Sequence, residues 1–450
     1  MLGVAGVPER WEYDVIAANI ANGGGHVYDR LGFVYRAYAP PVWSFILAAL
    51  QALPIDRVGI QILQALLCAA AAVVFGELAA RVFRSATIGA AVGLLVALQP
   101  SLLYYSVVKS DPLPLNVLLV ACLARVGVAV FDNPSFANAI RFGLVAGIAG
   151  LARGTPLVAV PLLGLFLFSR KDRTARPAFG IAALVCVLTL IPWLTRNALV
   201  LGRPMIASTA SENFWRGNHQ GAGGGVRDRN GADITTLSPE NAAFPRTIRS
   251  AIAGGNEIEL SAAFTREARA FVAQRPHEAI VLLFRKLRLF WIWTPSEARD
   301  YDSRLSLGYN IFYLFELTLG LLGLRSALQR PSPAGTEENR ERDARVAALW
   351  CASLAVAISL IQSAFYVQGR HRFLVEPILL MFAALPLADV ALKARARLAA
   401  YEASRAPRSG RTLVLDPGPG PQNARSARKR RGLPSGARDT RAAAGRRKDR

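Results

Sequence analysis

The stretch VGIQILQALLCAAAAVVFGELAA, residues 58–80, runs for 23 residues with one charge, Glu77. At about 1.5 Å of rise per residue, a helix of that length crosses the roughly 30 Å hydrocarbon core of a bilayer. Similar apolar blocks recur near 86–107, 113–130, 139–152, 155–169, 178–195, 305–324, 346–367 and 371–391. The pair 139–152 and 155–169 is short, and Gly154 and Pro156 mark a tight turn between its members. Composition agrees with this reading. Of 450 residues, 52% are hydrophobic and only 19% are charged, against about 25% charged in an average soluble domain. The mean hydropathy is +0.29. A single soluble core of this size is excluded, as is a collagen-like chain, because the glycines have no period. The expected fold is an all-α polytopic membrane protein.

The net charge of +22 resembles a nucleic-acid signature until its distribution is read. Residues 401–450 hold 14 Lys and Arg against four acids, and most of the remaining excess lies in short loops. With 58–80 running inward, one set of loops carries Arg81, Arg84, Arg141, Arg170, Lys171, Arg173, Arg176, Arg325, Arg330, Arg340, Arg342 and Arg345. The other set carries only Lys109, Arg153, Arg370 and Arg372 in its short loops. The excess of Lys and Arg on one side predicts a cytoplasmic C-terminus in an inner or plasma membrane. The basic tail, rich in Arg, Ala, Pro and Gly, is expected to be disordered and to attract anionic lipid headgroups rather than nucleic acid. Cys68, Cys122, Cys186 and Cys351 all fall inside apolar blocks and read as small buried hydrophobes, with no disulfide framework or metal spacing.

This topology divides the chain into a first extracytoplasmic loop (1–57), a transmembrane bundle (58–195), a long extracytoplasmic loop (196–304), C-terminal spans (305–392) and a disordered cytoplasmic tail (393–450). Residues 11–25, WEYDVIAANIANGGG, read as a short helix stopped by Gly23–Gly25. The segment 41–53 is too short to span and reads as an interfacial helix. Residues 278–294 mix Arg285, Lys286 and Arg288 with Trp291 and Trp293, as interface anchors do. A helix is expected near 257–274, and Gly221–Gly225 is a mobile run. Residues 1–57 hold no span and no signal peptide, although the charge pattern places them outside; either a first helix is missing ahead of residue 1, which is the expectation, or the N-terminus crosses unaided.

Charged residues gather at the extracytoplasmic ends. Glu12 and Asp14 belong to the first short helix, where ordinary solvated charges are the plain alternative. Asp111 precedes Pro112, a pattern that fits helix capping. An acid at the membrane boundary is also a functional candidate. Arg153, Arg196, Arg370 and Arg372 close or open apolar blocks on the same side, with Glu376 one turn deeper than Arg372. Each could anchor a helix end in headgroups. Together, guanidinium forks suit phosphate and a carboxylate suits a general base, a pairing fit for transfer from a phosphate-linked lipid. No Walker A, HExxH or CxxC motif is present, which disfavours a nucleotide-sugar donor.

Several ordered motifs carry a resemblance. They are WEYDVIAANIANGGG, Ala39-Pro40-Pro41-Val42-Trp43, Gln99-Pro100-Ser101 through Asp111-Pro112-Leu113, GLVAGIAGLARGTP at 143–156, Ile191-Pro192-Trp193-Leu194-Thr195-Arg196-Asn197, Glu212-Asn213-Phe214-Trp215-Arg216-Gly217-Asn218, and Arg370-His371-Arg372-Phe373-Leu374-Val375-Glu376-Pro377. The set resembles integral-membrane glycosyltransferases of the GT-C fold, the group similar to protein O-mannosyltransferases and the aminoarabinose lipid A transferase. The resemblance implies a GT-C-like helix bundle, lacking here the family's first helix. It implies transfer of a sugar, with inversion, from a polyprenyl-phosphate carrier to an envelope glycan, lipid or protein on the extracytoplasmic face. By position it implies that Glu12 is the catalytic base, with Asp14 or Glu9 as alternatives because Trp11 stands where relatives carry an Asp. It further implies that Asp111 is the second catalytic acid, with a divalent metal there as an option, and that Asp14, Arg153, Arg196, Arg370 and Arg372 bind substrate. The competing readings are a transporter or flippase for lipid-linked sugars, a glycan polymerase or ligase, and a non-catalytic envelope partner. A transporter should place polar residues within its spans.

Overall fold

The computed structural model describes residues 12–53, 57–107, 110–169, 174–225, 228–230, 232, 234–292, 303–329 and 336–405. Glu9, Trp11, Lys109, Arg170, Lys171, Arg173, Trp293, Arg330 and the tail beyond 405 lie outside the described residues.

The chain opens with helix α1 (Glu12–Ala21), a two-stranded hairpin of β1 (Tyr28–Arg30) and β2 (Phe33–Tyr35), and helix α2 (Pro41–Gln51). Gly23 and Gly25, both at positive φ, end α1 as the glycine run predicts. The hairpin turns on Leu31 and Gly32, at φ 56° and 85°, a two-residue loop whose backbone matches the strand twist. It was not expected: neither strand exceeds three residues, and Leu31 is a poor residue for a left-handed position.

There follow α3 (Arg57–Phe83), α4 (Ala86–Ala97), α5 (Pro100–Val107), α6 (Leu113–Asp132), α7 (Phe136–Ala152), a 3₁₀ turn (Thr155–Val158) and α8 (Ala159–Phe168). Next come α9 (Ala175–Leu201), α10 (Thr209–Gly217), α11 (Arg246–Gly254), α12 (Glu257–Gln274) and α13 (Pro276–Trp291). The last part contains α14 (Ser303–Gln329), α15 (Thr336–Ala364), a 3₁₀ turn (Gly369–Leu374) and α16 (Glu376–Arg405).

Among the described residues six helices are long and apolar enough to cross a membrane: α3, α6, α9, α14, α15 and α16. The fold is therefore an all-α, multi-pass membrane protein, as the apolar blocks predict. The expected span 86–107 is broken into α4 and α5, bent by 47°. Pro100 removes a backbone donor at the break and cannot continue the preceding helix. The expected spans 139–152 and 155–169 are apolar but short; α7 at 17 residues reaches about 25 Å, less than the bilayer core. The expected span from 371 starts at Glu376 instead, because Pro377 belongs in the first turn of a helix and residues 369–374 form the tighter 3₁₀ turn. The expected helix at 257–274 is α12, capped by Asn256 Oδ1, which accepts the N–H groups of Ile258 and Glu259.

The outward faces of the spans keep large side chains such as Leu66, Val187 and Phe315 exposed, surface that suits acyl chains rather than water. Glu77, the lone charge of the 58–80 block, pairs with Arg125 of α6 at 2.9 Å. All four cysteines are free, with Cys186 and Cys351 buried and Cys68 and Cys122 half-buried. Inside the bundle, Trp350 of α15 donates Nε1–H to Ala124 O at 3.0 Å and lies against Gly127. Helices α7 and α9 approach through glycine: a Cβ on Gly147 would sit 2.5 Å from Thr189 Cβ. Gly147→Leu is therefore expected to lower stability by about 1–3 kcal/mol through overpacking. The readout is the thermal midpoint of detergent-solubilised protein, and an unchanged midpoint would contradict this close approach.

At one end of the bundle the hairpin and the long 202–292 segment share a second apolar core. It includes Phe33, Tyr35, Trp215, Phe244, Ile248, Leu260 and Phe264. Glu257 fastens the two parts, its carboxylate accepting the N–H groups of Arg36 (2.6 Å) and Ala37 (3.1 Å). The first loop and the long loop thus form one layer over that end.

Candidate functional site

Helix α1 lies on α2 and on the ends of α6 and α7. Ala17 packs with Trp43, Leu47, Leu115 and Ala152, and Tyr13 and Ile20 flank them. This places Glu12, the first residue of α1, at the mouth of the bundle. Asp111 stands just before α6, whose cap residue is Pro112, and its Oδ1 accepts the N–H of Leu113, the first residue of the helix, at 2.9 Å. Its other oxygen lies 3.8 Å from Arg370 Nη1. The Ser110 hydroxyl donates to Asp14 Oδ1 at 3.1 Å. Arg153, in extended backbone at the end of α7, donates from Nη2 to Gln362 Oε1 at 2.9 Å.

Four chain segments thus converge: the start of α1, residues 110–111, the end of α7, and the 3₁₀ turn before α16. Glu12, Asp14, Asp111, Arg153 and Arg370 are all half-buried. Burial pushes the Glu12 carboxyl up, and nearby Asp111 adds to this; its own backbone N–H, Arg370 and Arg30 oppose the rise without cancelling it. Burial works against the charge on Arg370, but Tyr366, Asp111, Tyr105 and Glu12 outweigh it and raise its pKa, so the guanidinium stays charged. Burial, then Arg153 and Arg370, hold His371 well below the usual histidine range. This neutral imidazole accepts the Gln368 N–H on Nδ1 at 3.2 Å.

A second group, not found from sequence, ties the outer layer to this site. Glu212 of α10 accepts from Arg30 Nη1 at 3.0 and 3.2 Å, and also from Arg216 Nη2. Burial alone would raise Glu212, yet Arg216 and Arg30 hold it below the ordinary carboxylate value. Arg216 lies over the Tyr366 ring, 5.7 Å from its centroid. Asn218 donates to Ala364 O at 2.7 Å, and Lys286 donates to Gly217 O and Asn218 Oδ1, both at 3.0 Å. Burial lowers the Lys286 amine to about 7. The 212–218 motif therefore acts as a clasp, holding the long loop to the end of α15 beside Arg370. The acid at 212 and the arginines at 30 and 216 were readable as charges, but a pairing across 182 residues leaves no local signal.

Two predicted substrate arginines stand elsewhere. Arg196 donates to Arg36 O at 2.5 Å and to Asn197 Oδ1 at 2.7 Å, and lies over Trp193. It braces the first loop near His26, which burial, and secondly Arg196, lower to about 4. Arg372 is 1% exposed and faces into the bundle. Its Nε donates to Glu376 Oε1 at 3.0 Å, and its guanidinium lies 4.0 Å from the Tyr313 ring centroid. Its position four residues before Glu376 on a helical path turns it inward, away from the acids.

A resident divalent metal at Asp111 does not fit this donor set. One carboxylate oxygen is held by a backbone N–H and the other faces a guanidinium. Among the described residues no group of three or more His, Cys, Asp and Glu side chains comes together.

Fold and site together define a class: a multi-pass α-helical membrane protein with acids and arginines gathered where its loops meet one end of the bundle. No protein-family model matches the chain, and no curated protein matches it.

Proposed function

We propose that this chain is an inverting membrane glycosyltransferase that moves a sugar from a polyprenyl-phosphate carrier to an envelope acceptor on the extracytoplasmic face. The observation that carries the reading is the grouping of Glu12 with Asp111, Arg153 and Arg370 at the end of the bundle covered by the loop layer. The opposite end carries Arg81, Arg84, Arg141, Arg176, Arg325 and Arg345, the excess expected of a cytoplasmic face.

In this reading an acceptor hydroxyl or amine attacks the anomeric carbon and gives its proton to Glu12. The bond from that carbon to the phosphate oxygen breaks, and the polyprenyl phosphate leaves from the opposite side as a stable anion, inverting the configuration. Arg370 and Arg153 hold the charge that grows on the phosphate. Asp111 orients Arg370 and, by its own charge, strengthens the hold of Glu12 on a proton. The burial of Glu12 raises its affinity for the proton it takes up. The Glu212 clasp keeps the loop layer closed over these groups.

The transporter reading is favoured by one observation. Glu376 accepts from Gln99 at 2.6 Å, Ser101 at 3.2 Å and Arg372 at 3.0 Å within the bundle, and Glu316 of α14 is buried nearby. Charged groups inside spans commonly mark transport paths.

The test uses the full chain in lipid nanodiscs with a panel of polyprenyl-phosphate sugars, envelope extract as acceptor, and mass-spectrometric detection. Sugar transfer from at least one donor is expected. No transfer from any member would overturn the proposal.

A further inference from the structure

One buried carboxylate joins segments that are far apart in the chain. Glu376, the first residue of α16, is fully buried. Its Oε2 accepts from Gln99 Nε2 at 2.6 Å and from the Ser101 hydroxyl at 3.2 Å, at the break between α4 and α5. Its Oε1 accepts from Arg372 Nε at 3.0 Å, in the 3₁₀ turn, and from the Tyr309 hydroxyl of α14. The Tyr313 ring beneath the Arg372 guanidinium fixes it further. Phe373, the next residue of the turn, packs edge-on against Tyr105 of α5 and Tyr309 of α14, with ring centroids 5.5 and 5.4 Å apart.

Two arms leave this junction and meet again at the site. The 3₁₀ turn carries Arg370, two residues before Arg372. Helix α5 carries the chain away from Gln99 to Val107, four residues before Asp111. The far end of α5 is fastened to α3. There Gln64 Nε2 donates to Tyr105 O at 2.8 Å and Ser106 O at 3.2 Å, and Gln61 Nε2 donates to Val107 O at 2.5 Å. The arms close in the 3.8 Å contact of Arg370 with Asp111. A buried ion pair is poor ground for stability, since apolar side chains of similar volume often serve a core as well. What a carboxylate held by such donors adds is direction, because each bond constrains both distance and angle.

We propose that Glu376 is a positioning residue, whose carboxylate sets where Arg370 stands against Asp111 and hence against Glu12. Its consequence for sugar transfer rests on the transferase reading; the positioning itself does not. A misplacement of about 1 Å can cost about 10²-fold in rate, so Glu376→Gln should lower transfer by about that factor. Burial and Asp111 favour the protonated form of Glu12, while its own backbone N–H, Arg370 and Arg30 favour the ionised form. With Arg370 displaced, Glu12 should keep its proton to higher pH. The direction is diagnostic. Removing the negative charge of Glu376 would by itself ease ionisation of Glu12, so a rise reports lost positioning.

The test is an infrared titration of Glu12 in the full chain in lipid nanodiscs, reading the carboxyl band that Glu12→Gln removes. Glu376→Gln should move the midpoint upward by about one pH unit, the low end of what losing an adjacent guanidinium does. It should add nothing in the Arg370→Ala background. Arg372→Met combined with Glu376→Met removes the pair without leaving a lone buried charge, and should move the midpoint upward too, with the thermal midpoint reporting that the chain is folded. An unchanged titration in a folded variant of either kind would overturn the proposal. So would an equal rise in the Arg370→Ala background, which would mean that Glu376 acts on Glu12 without Arg370. The positioning and the transferase reading fail separately. A titration that shifts in a chain without transfer upholds the positioning and removes the transferase reading, and an unshifted titration in a chain that transfers sugar does the reverse.

Discussion

Glu12→Gln is expected to cut the rate of sugar transfer by about 10²–10⁴-fold, the usual cost of losing a positioned general base. The substitution keeps the size and hydrogen-bonding outline of the side chain, so donor binding should survive. The pH behaviour gives a sharper signature. In the proposed mechanism transfer needs Glu12 ionised, and burial raises its pKa; the rate should therefore fall as pH drops through a value above the ordinary carboxylate range. In the glutamine variant that limb should vanish from whatever rate remains. Stability carries the opposite sign. The folded protein holds the Glu12 proton more tightly than the unfolded chain does, so this group favours folding most below the unfolded carboxylate pKa. That contribution is lost as pH rises through the folded value. Glu12→Gln should thus leave the thermal midpoint at neutral pH unchanged or slightly raised. A large fall in that midpoint, or near-normal turnover, would sink the assignment of Glu12 as base.

Arg370→Ala is expected to lower transfer by about 10²–10³-fold, as removal of one preorganised charge partner does in other sites. Arg370 faces Asp111 at 3.8 Å and is among the groups that hold the Glu12 pKa down. Its loss should therefore do two separable things. It should weaken stabilisation of the departing phosphate at every pH, and it should move the acid limb of the rate profile upward, because Glu12 loses a cation and keeps Asp111. Arg370→Lys should restore part of the rate and most of the profile, since a point charge replaces the fork. If the alanine variant loses rate without any change in the acid limb, Arg370 does not act on Glu12.

Much of the architecture was legible because membrane burial writes a long, plain signal. The 58–80 block carries one charge and became α3; the glycine run after Asn22 ended α1; the helix expected near 257–274 became α12. The failures have equally physical reasons. The hairpin at 28–35 is too short to show alternation. The bend at Gln99–Pro100 sits inside a block whose hydropathy does not change, so only the proline hinted at it. The start of α16 was placed too early because Phe373, Leu374 and Val375 are apolar, whereas the backbone forms a 3₁₀ turn there.

The site was legible at its loop ends and illegible across the fold. Glu12, Asp111, Arg153 and Arg370 were readable as charges bordering apolar blocks, and the structure gathers them. Arg372 and Arg196 share that sequence signature but serve buried and bracing roles, because helical phase and loop contacts decide which way a guanidinium turns. The Arg30–Glu212–Arg216 clasp depends on three segments meeting through tertiary packing, which no spacing rule records.

If the chain is the proposed transferase, a covalent bond to a lipid phosphate is broken; if it is a transporter, the lipid is moved intact. The most direct measurement supplies the full chain, reconstituted in vesicles, with a polyprenyl-phosphate sugar labelled in both sugar and lipid. One free polyprenyl phosphate is expected for each glycosylated acceptor, with both products lost together in Glu12→Gln. Recovery of intact doubly labelled lipid in the opposite leaflet, with no free polyprenyl phosphate, would contradict it.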